Sequence, residues 1–144
     1  MIRRATKGDI KPIVRLELKS LSAADHGNLV VSPDRVKAVL MECLTNPRSF
    51  AWVAEVDGEI KGALCALVEE CLFYERQAAT VVMFYSEMRG EGVKMLRTLM
   101  RWAKSRPGIK IVAFTPPFGA DPRIGHLLTR AGLETSLPVY TRIF

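Results

Sequence analysis

The chain has 144 residues, 49% hydrophobic and 25% charged, with three cysteines and a net charge of +6. That length buries a sizeable core without disulfides or metals, and the composition is that of an ordinary globular protein. No apolar run approaches the roughly 20 residues of a membrane-spanning helix, and the opening MIRRATKGDIKPIV lacks the apolar centre and cleavage site of a secretory signal.

Cys43, Cys65 and Cys71 are odd in number and lack C-x-x-C spacing. They fit buried thiols in a reducing, cytoplasmic setting, with a Cys65–Cys71 redox pair as the lesser alternative. The positive charge suits nucleic acid, but equally any polyanionic ligand, including a nucleotide cofactor. The basic residues are scattered, with no block of five or six.

In chain order, MIRRAT reads as a short strand and KGDIKPIVRLELKSL as a helix whose start is marked by Asp9 and Pro12. SAADHGNLVV, residues 22 to 31, is a polar break. SPDRVKAVLMECLTN opens with a Ser cap and Pro at the first helical position, and Val36, Val39, Leu40 and Cys43 recur at helical spacing. The period then changes: SFAWVAEV and EIKGALCALVEE flank Asp57-Gly58, a strong hairpin signal. AATVVMFY is a continuous apolar run expected inside the sheet. A helix from about Gly90 to Ser105 is expected to bury Val93, Leu96, Leu99, Met100 and Ala103, and to expose Lys94, Arg97, Arg101 and Lys104. GIKIVAFT reads as another buried strand, PPFGADP as a loop, RIGHLLTRAG as a helix ended by Gly132, and SLPVYTRIF as a last strand. The order β-α-α-β-β-β-α-β-α-β, without linker or repeat, describes one α+β domain over residues 1–144. Its central sheet is mixed, mainly antiparallel and flanked by helices.

EMRGEGVKML, residues 87 to 96, places two glycines and an arginine where a strand passes into a helix. The first amides of a helix lack partners within it and form an anion site, and glycine permits both close approach and positive φ. The pattern describes either a phosphate cradle or a simple cap. It is neither a P-loop, since G-x-x-x-x-G-K-[ST] is absent, nor a dinucleotide fingerprint, since Met95 stands where the third glycine is needed.

Here the chain resembles the GCN5-related N-acetyltransferase (GNAT) family, whose motif A is [RQ]-x-x-G-x-[GA]. Arg89 and Gly92 match, Gly90 is the common second glycine, and Lys94 departs from the final position. VVMFYSEM is similar to the family's fourth strand and its lead-in, with Ser86 where Pro often stands. MIRRATKGDI, VAEVDGEIKGAL and LLTRAGLETS extend the resemblance along the chain, which is similar to compact bacterial and phage members. The resemblance implies acetyl-CoA as co-substrate and transfer of its acetyl group to a primary amine of a small molecule or protein. It implies backbone contacts from Met83, Phe84 and Tyr85 to the pantetheine arm. It further implies that the amides of Arg89, Gly90, Glu91, Gly92, Val93 and Lys94 hold the pyrophosphate, with Asp121 where the family usually has Asn. On this reading, Glu substituted for Gly92 blocks the cofactor and leaves the fold largely intact.

Acetyl transfer needs a neutral amine, a polarised thioester and a route for the thiolate to gain a proton. The family's usual acid, a Tyr four residues before the Gly of the last helix, is replaced by Leu128. Tyr140 and Tyr85 are the replacement candidates, with His126 a lesser one, and Glu75 is the candidate base beside Glu69 and Glu70. His26 lies in the loop that borders the acceptor pocket in this family. No metal constellation is present, His26 and His126 being isolated. Nucleic acid is not an expected partner, because the Lys94–Arg97–Arg101–Lys104 stripe has no interleaved exposed aromatics and no reading-helix motif, and a membrane is not expected, for want of a long apolar run; a homodimer is compatible with the sequence. The alternative function is a catalytically silent GNAT-fold protein acting through a partner, such as a phage accessory or virion protein.

Overall fold

Asp9 starts the first helical segment. Its carboxylate accepts hydrogen bonds from the Thr6 amide (2.8 Å) and hydroxyl (3.1 Å), and two from the Arg3 guanidinium (2.9 Å each). Arg3 thereby ties strand β1 (Ile2–Arg4) to a 3-10 turn (Lys7–Asp9) that runs into helix α1 (Ile10–Ser22). The computed structural model describes residues 1–22, 29–116, 121–135, 140 and 142–144. Helix α2 (Pro33–Thr45) begins as its sequence predicts, with the Ser32 hydroxyl accepting from the Arg35 amide and Pro33 in the first turn. Strands β2 (Phe50–Val56) and β3 (Glu59–Glu70) are joined at Asp57 and Gly58, both at positive φ (51° and 78°) as a tight hairpin requires. Strand β4 (Gln77–Ser86), helix α3 (Glu91–Lys104), strand β5 (Ile109–Phe114) and helix α4 (Arg123–Arg130) follow.

The sheet order is β1-β2-β3-β4-β5, antiparallel except for the parallel β4–β5 pair. One face packs on α1 and α2 through Ile13, Leu16, Leu40, Val53, Cys65 and Met83. The other packs on α3 through Phe50, Leu64, Met95, Leu96 and Leu99, with Leu127 and Leu128 of α4 against the same cluster. This is the expected α+β class, and the expected element order holds through α4. Of the expected last strand, residues 136–139 and 141 lie outside the described residues, and Tyr140 and residues 142–144 are in no strand.

Three sequence expectations need correction. β5 is not the buried strand expected: among the described residues it stands at the end of the sheet order, and Lys110 and Ile111 are exposed. On α3, Met95 is fully buried and Met100 only half-buried, because the helix presents Gly92, Val93, Leu96, Leu99 and Ala103 to the sheet and Met95 belongs to that stripe. Val39 stands beside the buried stripe of α2 and is 36% exposed.

Candidate functional site

β4 carries one residue more than its partner at Val82. Cys65 stands opposite Met83 and Ala66 opposite Val81, so Val82 is unopposed and forms a β-bulge. The extra residue resets the alternation of side chains. Val81 packs with the α3-side core, whereas Met83 and Tyr85 pack with the α1–α2 side. Pairing with β5 ends at the same place: Val81 opposite Phe114 is the final pair, although β4 continues to Ser86. β5 ends at Phe114, so from Val82 onward β4 has no strand partner on that side among the described residues, which leaves a gap in the ladder. On the α3 side the Phe84 and Phe114 rings meet edge-on across it, 5.6 Å apart at 81°.

The strand then turns into α3. Gly90 caps the helix at φ 86°, in the left-handed region that favours glycine, and no atom stands within 4 Å of where its Cβ would lie. Gly92 is present for a different reason. It is buried, and a Cβ there would meet Phe84 Cζ at 3.1 Å and Leu127 Cδ1 at 3.4 Å. Gly92 leaves room for the protein's own Phe84 ring and Leu127 side chain, so a Glu at this position presses on both and disturbs the packing of α3, against the expectation of a fold left largely intact. The first-turn amides behave as the sequence suggests. Those of Gly92 and Val93 have no backbone partner among the described residues, while the Glu91 and Lys94 amides reach the Met88 and Gly90 carbonyls at 3.3 Å. Arg89 is exposed beside this turn. The Lys94 ammonium donates to the Glu91 carboxylate at 2.6 Å, so these two neutralise one another over the helix start.

The remaining candidates divide by position. Met83 is buried, and Phe84 and Tyr85 half-buried, along the parted stretch of β4. The Lys19 ammonium lies 6.0 Å from the centre of the Tyr85 ring. Lys19 also donates to Glu87 at 2.9 Å, Arg15 does so at 3.3 Å, and Lys61 stands 3.8 Å away. The Lys19 hydrogen bond, then Arg15, holds the Glu87 carboxyl below the ordinary range against some desolvation. Asp121 is exposed ahead of α4 and bound by Arg123 at 2.7 Å, which lowers its carboxyl likewise. Leu128 is half-buried against the α3-side core, His126 is exposed, and Tyr140 is 89% exposed. His26 lies outside the described residues. Glu69, Glu70 and Glu75 sit at the β3–β4 turn, at the far end of β4 from Ser86. Ten strand residues at about 3.3 Å each span about 30 Å, so the fold does not bring Glu75 to the α3 cradle. Among the described residues no group of three or more His, Cys, Asp or Glu is placed to hold a metal ion, and no helix is long and apolar enough to cross a membrane.

Sequence reasoning overlooked Glu17. It follows Leu16 on the buried face of α1, is 8% exposed, and faces the core that contains Cys65 and Met83. Burial pushes its carboxyl up to about 7. The signal was available, since Ile13, Leu16 and Glu17 share one helical face and a carboxylate interrupts that stripe.

Neither a family model nor a curated relative matches the chain. Solved structures do. A predicted acetyltransferase with acetyl-CoA from Clostridium acetobutylicum superposes with a TM-score of 0.76 at 18% identity, over 99% of this chain and 95% of that one. A transcriptional regulator from Bacillus halodurans gives 0.75 at 22%, over 100% and 99%. Glucosamine-6-phosphate N-acetyltransferase from Arabidopsis thaliana gives 0.73 at 16%, over 100% and 97%. The protein has the fold of the GNAT acetyltransferases.

Proposed function

We propose that residues 1–144 act as one domain that transfers the acetyl group of acetyl-CoA to a primary amine. The observation that carries this reading is the gap in the ladder beside β4 from Val82 onward, leading directly to the unpartnered amides of Gly92 and Val93. The gap suits an extended arm bonded to the backbone of Met83, Phe84 and Tyr85. The helix start suits a pyrophosphate, with Arg89 adding a cation. The amine nitrogen forms a bond to the thioester carbonyl carbon, the carbon–sulfur bond breaks, and the nitrogen loses a proton while the sulfur gains one. Tyr85, half-buried on the parted strand, is the acid best placed to supply that proton. Three unpaired thiols, Cys43, Cys65 and Cys71, suit a reducing cytoplasm.

Isothermal titration with acetyl-CoA tests the cofactor half. Binding is expected, and Arg89→Ala, an exposed change, is expected to weaken it about tenfold through loss of one charge-assisted contact. Absence of binding by the parent protein at millimolar acetyl-CoA overturns the proposal. Leu128, in the place of the family's Tyr, favours a second reading in which the cofactor is bound and no acetyl group is transferred. Release of free CoA thiol in the presence of a panel of primary amines separates the two.

A further inference from the structure

Arg15, Lys19 and Lys61 converge on one carboxylate, Glu87, just beyond the end of β4. Arg15 and Lys19 donate to it at 3.3 and 2.9 Å, and Lys61 stands 3.8 Å away. Lys61 has a nearer partner in Glu59, at 2.7 Å. Three cations therefore share two carboxylates, and one positive charge is left over. The surplus lies on α1. The Arg15 and Lys19 side chains are 54% and 55% exposed, and Arg15 commits a single donor of its guanidinium, in a long bond.

This group borders the candidate site on the side of the sheet away from α3. The Lys19 ammonium lies over the Tyr85 ring, and Met83 and Tyr85 pack on the α1–α2 side. The α3 side is taken by the Phe84 and Phe114 rings and by the helix start proposed for the pyrophosphate, so the α1 side is the one left for the acceptor. Glu17, the one carboxylate of α1, does not offset the cations: it is buried, and at two residues from each it lies on the opposite flank of the helix. A polycationic amine here meets like charge, whereas an anionic group meets opposite charge and spare guanidinium donors. Arg15 and Lys61 also line a cleft of about 520 Å³ whose lining residues are all described. Its carboxylates are already engaged, Asp9 by Arg3 and Thr6, and Glu59 by Lys61.

We infer that the acceptor carries an anionic group, a phosphate or a carboxylate, which Arg15 and Lys19 bind while its amine lies beside Tyr85. Glu87 neutralises one of the two cations, and the charge of the acceptor answers the other. The inference rests on the acetyl-transfer reading and names the class of amine that the site selects.

Isothermal titration into the protein saturated with CoA, which fills the cradle and has no acetyl group to give, tests it. The probes share one two-carbon chain: ethanolamine, O-phosphoethanolamine and β-alanine. At least one of the anionic amines is expected to bind about tenfold or more tightly than ethanolamine, and which one does so separates phosphate from carboxylate. The preference should shrink between about 0.05 and 0.5 M salt. Arg15→Gln combined with Lys19→Gln is expected to remove the preference and to keep CoA affinity within about threefold of the parent. Equal affinity for the probes, no binding of any of them at about 10 mM, or a preference that the double variant retains overturns the inference. So does a double variant that loses CoA affinity by the same factor, because the two cations would then serve only to hold Glu87 and the turn after it. CoA bound without a preference among the amines removes this inference alone; no binding of CoA by the parent removes the reading it rests on.

Discussion

Glu17 and Asp9 make the stability of this chain depend on pH in opposite senses. Hydrogen bonds from Arg3 lead the effects that hold Asp9 at about 2, against an ordinary value of 3.8. Its contribution is therefore complete above about pH 4 and lost as the pH falls through 2. Glu17 is raised from 4.5 to about 7 by burial. The folded protein then holds that proton more tightly than the unfolded chain, so nothing is lost below pH 4.5, stability falls between 4.5 and 7, and the cost is complete above 7. Glu17→Gln keeps the shape and removes the charge. Chemical denaturation should show the variant more stable than its parent at pH 8, by on the order of 2 kcal/mol, and equal to it near pH 4. A parent whose stability rises from pH 5 to 8 would contradict this account of Glu17.

The helix start at Gly90 shows how two neighbouring glycines answer different needs. Gly90→Ala puts a side chain into open space but leaves φ at 86°, and is expected to cost about 1–2 kcal/mol in unfolding free energy without changing any contact. Elements with strong local signals were legible from sequence. The Ser32–Pro33 start of α2, the Asp57–Gly58 hairpin and the Arg89–Lys94 turn all depend on residues adjacent in the chain. What escaped depends on distant neighbours. Gly92 is small because Phe84 and Leu127 converge on it, and the distance of the candidate base Glu75 from the cradle is set by the ten-residue strand between them. Among the described residues, the exposure of β5 goes with its place at the end of the sheet order, which its own apolar composition does not reveal.

Across the whole molecule, the break in pairing at the proposed site coincides with a mismatch of number and not of chemistry. Val82 is one residue that β3 does not match, and the sheet divides where the count fails. Such a device is indifferent to which side chain fills the position and intolerant of its removal. Val82→Thr and Val82→Ala should preserve acetyl-CoA binding, at a modest cost in thermal stability. Deleting residue 82 should instead remove the bulge and leave a regular strand, with Met83, Phe84 and Tyr85 on their present faces and opposite Cys65, Leu64 and Ala63 as before. The deletion should therefore keep the Phe84–Phe114 and Tyr85–Lys19 contacts and cooperative unfolding, and weaken acetyl-CoA binding by letting β4 straighten beside β5; a deletion variant that binds as its parent does would contradict this role of the bulge. Sequence drift at this position would then be free and loss of the extra residue felt at the site: a bend made by one unmatched residue leaves its trace in the spacing of a strand, where no residue motif records it.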